Sequence, residues 1–471
     1  MSNQRSLSGT LGLGYVIIFV FANIIGSGVY KKIAPMAAGL ESSAWILLAW
    51  AAAGVITLFG ALSNAELAGM LADTGGEFVY LRKIYNPFFS FLYGWTLFTV
   101  IQSAAISSLA YVFVQSLNSI VPLPELFPSL QDAGIGGIFY PFRDFGIKIT
   151  AILLIMGLTF LNISGLKSGS RVNKVLFFVV CAGLALIVVS GLANASGRPS
   201  EIIDFGSMKE SRVSVSSFMT AMLAAFWAYQ GWVSAGFIGG EIKNARRNVP
   251  KGIIIGVFSV TIIYLLVNYS YLAVMSVPEL VSVHEAGNQV AAIEMAGRVG
   301  GSSGIFLMSL LILVTTLGCL NASILTGSRP YYAMSREGLF FTAIGKLNSR
   351  NVPGNSLLWQ GIWSSVLVLS GNFDQLTDML VFAVYIFYGA MAAGVFILRY
   401  RMPDAFRPYK VWGYPLVPAL FVLFCAGLFV NTFITRPREA LIGLFLIMTG
   451  VPVYFLFRRR NGKRASARPH D

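Results

Sequence analysis

Long apolar runs alternate with short polar connections along nearly the whole chain. A bilayer core takes about 20 residues of α-helix to cross. Runs of that kind predict twelve membrane-spanning helices, over 13–38, 42–71, 87–120, 144–164, 170–193, 214–240, 249–276, 303–334, 355–373, 376–400, 412–434 and 439–457. Most runs are apolar on every side, so periodicity does not say which face meets lipid and which meets protein. The fold class read from this pattern is an all-α membrane protein. Polar and small residues inside the runs therefore carry most of the information.

Two runs are interrupted at their centres. In the first, Ile24, Ile25, Gly26, Ser27 and Gly28 set two glycines around a serine. Each glycine weakens a helix by about 1 kcal/mol relative to alanine. In the sixth, Trp227, Ala228, Tyr229, Gln230, Gly231 and Trp232 stand where a regular helix would continue. Irregular backbone at membrane depth is tolerated only where it is buried in protein or lines a cavity. Taken alone, the glycines equally suit close helix–helix packing. Paired interruptions in two halves of a chain point instead to a transporter substrate site. Bare N–H groups at the start of one half-helix suit a carboxylate, and freed carbonyls at the end of another suit an ammonium. A zwitterion is the natural guest.

Composition agrees with a membrane protein. Of 471 residues, 56% are hydrophobic and 11% charged, and mean hydropathy is +0.72, whereas soluble domains carry about 25% charged residues. The net charge of +14 raises the question of nucleic acid. Its distribution argues against that partner. Most lysines and arginines fall in alternate connections: Arg5; Arg82 and Lys83; Lys167, Arg171 and Lys174; Lys243, Arg246, Arg247 and Lys251; Arg329, Arg336, Lys346 and Arg350; Arg399, Arg401, Arg407 and Lys410; and the C-terminal tail. This is the positive-inside pattern. It predicts both termini in the cytoplasm and an even number of spans.

No short apolar segment with a small-residue cleavage site precedes the first run, so no cleaved signal peptide is expected. Cys181, Cys319 and Cys425 lie inside apolar runs and predict no disulfide framework. His284 and His470 are too far apart to suggest a metal site, and no metal or cofactor is expected. The connection over 121–143 is external and rich in Pro and Gly, with Pro122, Pro124, Pro128, Gly134, Gly136, Gly137 and Pro141. The connection over 277–302 is also external, with a short helix expected over Gln289–Arg298, lying above the entrance. The tail Arg458–Asp471 reads as a topology anchor that touches anionic lipid. The chain thus divides into an N-terminal segment (1–12), a transporter domain (13–457) and the basic tail (458–471).

With interruptions in the first and sixth runs, the spans group as five and five with two left over. An odd number of spans per unit inverts the second unit. The repeats are 13–193 and 214–400, and the extra helices occupy 412–457.

Several stretches are similar to known motifs. Ile24-Ile25-Gly26-Ser27-Gly28-Val29-Tyr30 resembles the IIGSGIF signature of the amino acid–polyamine–organocation superfamily, in its L-type amino acid transporter branch. Phe59-Gly60-Ala61-Leu62-Ser63-Asn64-Ala65-Glu66-Leu67 resembles the end of that family's second helix. Gly75-Gly76-Glu77-Phe78-Val79-Tyr80 resembles its GGEYxY loop, and Trp227-Ala228-Tyr229-Gln230-Gly231-Trp232 its FAYxGW break. The stretch from Glu241 to Pro250 resembles its EExKNPxRxxP loop. Leu320-Asn321-Ala322-Ser323, then Arg329 and Ser335-Arg336-Glu337-Gly338, resembles its eighth helix and the loop after it. The match runs through spans one to eight in order.

The resemblance implies the leucine-transporter fold, a 5+5 inverted repeat with broken first and sixth helices. It also implies alternating access around a site between the first, third, sixth, eighth and tenth helices. Carried over, Gly26, Ser27 and Gly28 would receive the substrate carboxylate on their N–H groups. Carbonyls near Ile24 and Ile25, and those of Trp227 and Tyr229 flanking Ala228, would receive the α-amino group. Trp227 matches the aromatic that closes over the substrate. Tyr271 matches a seventh-helix tyrosine that bonds to the first break; its plainer reading is an interfacial aromatic.

Two departures stand out. Many L-type relatives have a lysine in the fifth helix in place of a sodium ion, and here that position falls at Val179 or Val180. Lys174 is about six residues earlier, about 9 Å along a helix. Thr315 and Thr316 fall where the eighth helix contributes oxygens to that ion position, so the site either is empty or holds sodium. Gln230 stands where relatives often have Gly or Asp. Its amide would bond either a polar substrate side chain or freed backbone groups.

Other polar residues sit within spans. Glu66 and Asp378 lie near span ends and read as structural. Glu241 with Lys243, Arg246 and Arg247 reads as a solvated loop. Gln102, Ser103 and Tyr385 are candidates to line a pocket. No H-E-x-x-H, G-x-S-x-G or intramembrane carboxylate pair is present, which excludes the common hydrolytic enzymes. A channel would use rings of like groups from several chains. A sensor on a transporter fold would carry an added soluble domain. The function read from the sequence is secondary transport of amino acids by sodium-independent exchange of neutral L-amino acids, with proton- or sodium-coupled symport as the alternative. Residues 121–143 lack the cysteine that links eukaryotic L-type members to a single-span glycoprotein, so no disulfide-linked heavy subunit is expected. Short tails point to a prokaryotic inner membrane, with substrate and lipid as partners.

Overall fold

The computed structural model describes residues 11–71, 76–134, 140–165, 170–194, 213–287, 289–336, 338–350 and 352–466. Gly75, Gly136, Gly137, Lys167, Glu337, Arg5 and the last five residues of the tail lie outside the described residues.

The described residues form helices throughout, with one isolated backbone bridge between Leu11 and Ile242. The first run is divided into α1 (Leu13–Ile24), α2 (Gly28–Lys31) and α3 (Ile33–Leu40). Then follow α4 (Ser43–Met70) and α5 (Gly76–Ile84). The third run is α6 (Pro87–Thr96), a π-helical turn (Leu97–Ile101) and α7 (Gln102–Asn118). Next come α8 (Phe145–Ile163) and α9 (Ser170–Asn194). The sixth run is α10 (Val215–Ala228) and a 3-10 stretch (Trp232–Glu241). After it come α11 (Ala245–Val274), α12 (Val277–Ala286), α13 (Ala291–Arg336), α14 (Gly354–Ser370), α15 (Phe373–Arg401) and α16 (Leu416–Thr435). Two helices, α17 (Pro437–Met448) and α18 (Gly450–Ser466), end the described chain.

Nine helices among the described residues are long and apolar enough to cross a membrane. The other three of the twelve apolar runs appear in shorter pieces. The two broken runs give α1 with 12 residues and α10 with 14 residues, and α14 has 17 residues. The connection after α11 differs from its sequence reading. It starts with α12, set by a capping box between Ser276 and Glu279 and by an early proline, a helix the apolar pattern did not reveal. The short helix expected at Gln289–Arg298 forms the first turns of α13, up to the non-helical Gly301.

By its internal packing the chain separates into two compact units. One holds residues up to Asn86, Leu184–Gly287 and Tyr385–Thr435. In it α11 lies along α4 and α1, and α10 packs on α3, α4 and α16. Gly252 and Gly256 of α11 let Val16 and Val20 of α1 sit directly on its backbone.

The other unit holds Pro87–Gly183, Asn288–Val384 and the residues from Arg436 on. There α7 packs against α8, α13 and α14. Side chains bond backbone carbonyls of neighbouring helices: Ser107 Oγ to Ser364 O at 2.7 Å, Gln102 Nε2 to Ser323 O at 2.9 Å, Gln360 Nε2 to Ile324 O at 3.1 Å and Trp363 Nε1 to Thr99 O at 2.8 Å. Asn162 Nδ2 donates to Asn321 Oδ1 at 2.7 Å. At the π-turn Ser103 Oγ donates to Phe98 O at 2.6 Å. Of the two candidates to line a pocket, Gln102 thus ties α7 to α13, while Ser103 bonds within its own run.

Candidate functional site

All the residues singled out at the two breaks belong to the first unit. The first helix stops at Ile24, and Ile25 is extended, with φ −77° and ψ 98°. Helix resumes at Gly28 and runs on through Lys32, which keeps right-handed helical angles. An interruption of this kind strands the last carbonyls of one half and the first N–H groups of the other. Among the described residues no acceptor reaches the N–H groups of Gly26, Ser27 or Gly28. The Ser27 hydroxyl is buried and has no hydrogen-bond partner among them.

The sixth run behaves in the same way. Its first half begins at Ser214, which accepts the N–H of Ser217 at 3.0 Å. It ends at Ala228, and Tyr229, Gln230 and Gly231 form a turn. Gly231 has φ +113°, and a Cβ there would overlap the Asn23 carbonyl oxygen. Only glycine meets both conditions. Trp227 O accepts the N–H of Gln230 at 3.2 Å, and the Tyr229 carbonyl has no donor among the described residues.

The two breaks touch. A Cβ on Gly28 would lie 2.5 Å from the Ala228 Cα and 2.7 Å from its Cβ. Tyr264 of α11 reaches both, with its hydroxyl 2.8 Å from Ala228 O and 3.2 Å from Ile24 O. The Tyr264 ring packs on Trp50, 5.5 Å away, and on Tyr229, 5.1 Å away. Tyr229 in turn donates its hydroxyl to Trp50 O at 3.2 Å. Tyr271, two turns further along α11, donates to Val29 O at 3.1 Å, just past the first break. Gln230 Nε2 donates to Tyr388 Oη of α15 at 2.8 Å, and Gln230 Oε1 is buried without a partner among the described residues. Tyr388 packs on Trp232 at 4.9 Å and on Tyr385 at 5.6 Å. Trp227 is buried in the last turn of α10.

Paired broken helices with backbone groups left over at their ends are a feature of substrate and ion sites in many secondary transporters. The amino acid permease family profile matches residues 11–457. The chain belongs to the amino acid permease family. The permease is 30% identical to the serine/threonine exchanger SteT of Bacillus subtilis (strain 168), over 98% of this chain and 99% of that one. It is 28% identical to the b(0,+)-type amino acid transporter 1 of Homo sapiens, over 96% of this chain and 88% of that one. It is also 28% identical to the large neutral amino acids transporter small subunit 2 of Homo sapiens, over 96% and 81% of the two chains. These relatives are transporters and not enzymes. The permease is a multi-pass membrane protein, as its apolar helices require.

Four residues at the breaks of the permease went unread in the sequence: Asn23, Trp50, Tyr264 and Tyr388. Tyr264 carried a signal, since a polar hydroxyl in the middle of an apolar run needs a partner. Thr315 and Thr316 of α13 lie in the other unit, and both hydroxyls donate to Ile312 O of their own helix, at 3.1 and 2.5 Å. Their oxygens keep lone pairs. Glu66 is embedded in a cluster of the first unit. It accepts from Arg399 at 2.9 and 2.7 Å and from Val411 N at 2.7 Å, and Arg407 lies 3.3 Å away. Asp378 lies 3.7 Å from Arg436. Among the described residues no three His, Cys, Asp or Glu side chains gather as a metal site would need.

Proposed function

We propose that this permease exchanges small neutral L-amino acids across the membrane, without sodium, by alternating access at the two helix breaks. The observation that carries the reading is the set of unpaired backbone groups there: N–H groups at Gly26, Ser27 and Gly28, and under-supplied carbonyls at Ile24 and Tyr229. The substrate carboxylate takes the N–H groups, where the helix dipole favours negative charge. The α-ammonium takes the carbonyls of Ile24, Trp227 and Tyr229, with Ile25 and Ala228 holding the spacing. Trp227 closes over the substrate, and Tyr271 steadies the resumed first helix.

Gln230 gives the site its preference. Its amide has one end bonded to Tyr388 and one end open. Oxygen and nitrogen of an amide exchange places without changing its shape, so either a donor or an acceptor points away from Tyr388. A hydroxyl satisfies both. Serine and threonine therefore fit better than alanine, in keeping with the serine/threonine exchanger among the relatives.

In this reading twelve spans form a 5+5 inverted repeat with two added helices. Both termini face the cytoplasm of a prokaryote, and no disulfide-linked subunit is required. A second reading is sodium-coupled symport. Thr315 and Thr316 support it, because their lone pairs are open and no lysine stands at Val179 or Val180. Purified permease in liposomes separates the two. Uptake of labelled serine that needs an internal pool of amino acid and is equal in sodium and choline supports exchange. Uptake into empty vesicles that needs sodium refutes it.

A further inference from the structure

The connection between α15 and α16 is fastened from within by Glu66 and two arginines. Glu66 of α4 accepts from Arg399 and from Val411 N, and Arg407 lies 3.3 Å from it. Arg407 spreads its guanidinium over four carbonyls, those of Leu398 at 3.0 Å, Met402 at 2.8 Å, Pro403 at 3.1 Å and Ala405 at 2.9 Å. Arg399 also covers the Tyr414 ring at 3.8 Å. These bonds fix the backbone, so what the connection shows outward is held there. Tyr400, Trp412 and Phe406 are 88%, 76% and 72% exposed, more than any other aromatic side chain among the described residues. All three fall within the stretch 400–412. Arg401 and Lys410, in the same stretch, are exposed too. Arg401 donates to Ile84 O at 2.9 Å, which brings it to the end of α5, where Lys83 is exposed as well. Asp404 is the one acidic residue between α15 and α16.

The place of these residues says what covers them. Both α15 and α16 are long and apolar enough to cross the membrane, so the connection between them lies at the edge of the bilayer. Trp and Tyr collect at that level, where one end of the ring is apolar and the other wet. Lys and Arg at that level attract anionic lipid. We propose that this surface seats anionic phospholipid headgroups. Lys83, Arg401 and Lys410 supply the charge, and Tyr400, Phe406 and Trp412 lie along the glycerol and the upper acyl chains. The fastening on Glu66 keeps cations and rings in one arrangement.

The test is binding of phosphatidylglycerol and of phosphatidylcholine, each labelled on an acyl chain, to the purified permease in detergent. The wild type should prefer phosphatidylglycerol. Each cation at an anionic surface contributes about fivefold to binding. Lys83→Gln with Lys410→Gln should therefore weaken phosphatidylglycerol about 25-fold and leave phosphatidylcholine unchanged. Trp412→Ala should weaken both lipids. Arg247→Gln with Lys251→Gln is the control, because both are exposed cations of α11 in a stretch, 242–252, that has no aromatic residue. It should leave both affinities as they are. Where the Lys83 and Lys410 double variant does not fold, Lys410→Gln alone should give the loss of about fivefold. Equal losses from the two charge pairs would reduce the surface to diffuse attraction and overturn the proposal. So would the absence of a preference for phosphatidylglycerol, an unchanged affinity of Trp412→Ala, or displacement of the lipid by inorganic phosphate.

Discussion

Gly28→Ala tests whether the contact between the two breaks matters for transport. The added Cβ would lie 2.5 Å from Ala228 Cα, 2.7 Å from its Cβ and 3.0 Å from its N. Carbon atoms rest at about 3.5–4.0 Å, so the two half-helix ends would have to part by about 1 Å. The obstacle is backbone, which has no rotamer to give way. Overpacking of this kind costs about 1–3 kcal/mol, and a displacement of about 1 Å at a reacting or binding centre costs about 100-fold in rate. Serine exchange by the purified variant in liposomes should fall by about that factor while the protein stays folded. Gly14→Ala is the matched control. It meets no atom within 4 Å and should strengthen α1 by about 1 kcal/mol through helix propensity. Adding Ala228→Gly to Gly28→Ala should restore part of the rate, since one of the two closest obstacles is removed. Wild-type exchange by Gly28→Ala at wild-type stability would refute the contact.

Other expectations follow from the same geometry. Glu66→Ala strands Arg399, Arg407 and the Val411 N–H around a buried vacancy. It should lower stability by about 3–5 kcal/mol, seen as an early transition in a thermal melt, and an unchanged melt would show the cluster to be idle. Gln230→Leu should weaken competition by serine and threonine by about tenfold, the cost of leaving one hydrogen bond unmade, with alanine barely affected; equal losses for all three would remove the amide from the specificity argument. Thr315→Ala with Thr316→Ala should leave exchange unaltered in sodium and in choline, and a loss confined to sodium would favour the symport reading.

The apolar runs were legible because lipid demands length, and each run has a helical counterpart in the structure within a few residues. Both interruptions were legible because Gly26, Gly28 and Gly231 are poor choices for a helix interior. Side-chain partners were not. The helices are apolar nearly all round, so nothing in the sequence said that Tyr264 faces α1 and α10 while Tyr271 faces the resumed helix. Glu66 and Arg399 are 333 residues apart, and no local pattern links them. The short helix α12 was missed although its capping box, Ser276 to Glu279, stands in the sequence. Gln102 and Ser103 were read as pocket candidates on polarity alone, and the structure turns both to backbone carbonyls.

The central claim is that leftover backbone groups at two helix breaks recognise both charges of an amino acid. The most direct test is competition against labelled serine exchange by three unlabelled compounds: L-serine, ethanolamine without the carboxylate, and L-glycerate without the ammonium. The site described here predicts that each deleted charge weakens inhibition by about 100-fold or more, since hydrogen bonds to charged groups contribute about 1.5–3 kcal/mol each and more than one is lost. Inhibition by ethanolamine or L-glycerate comparable to that by L-serine would contradict it.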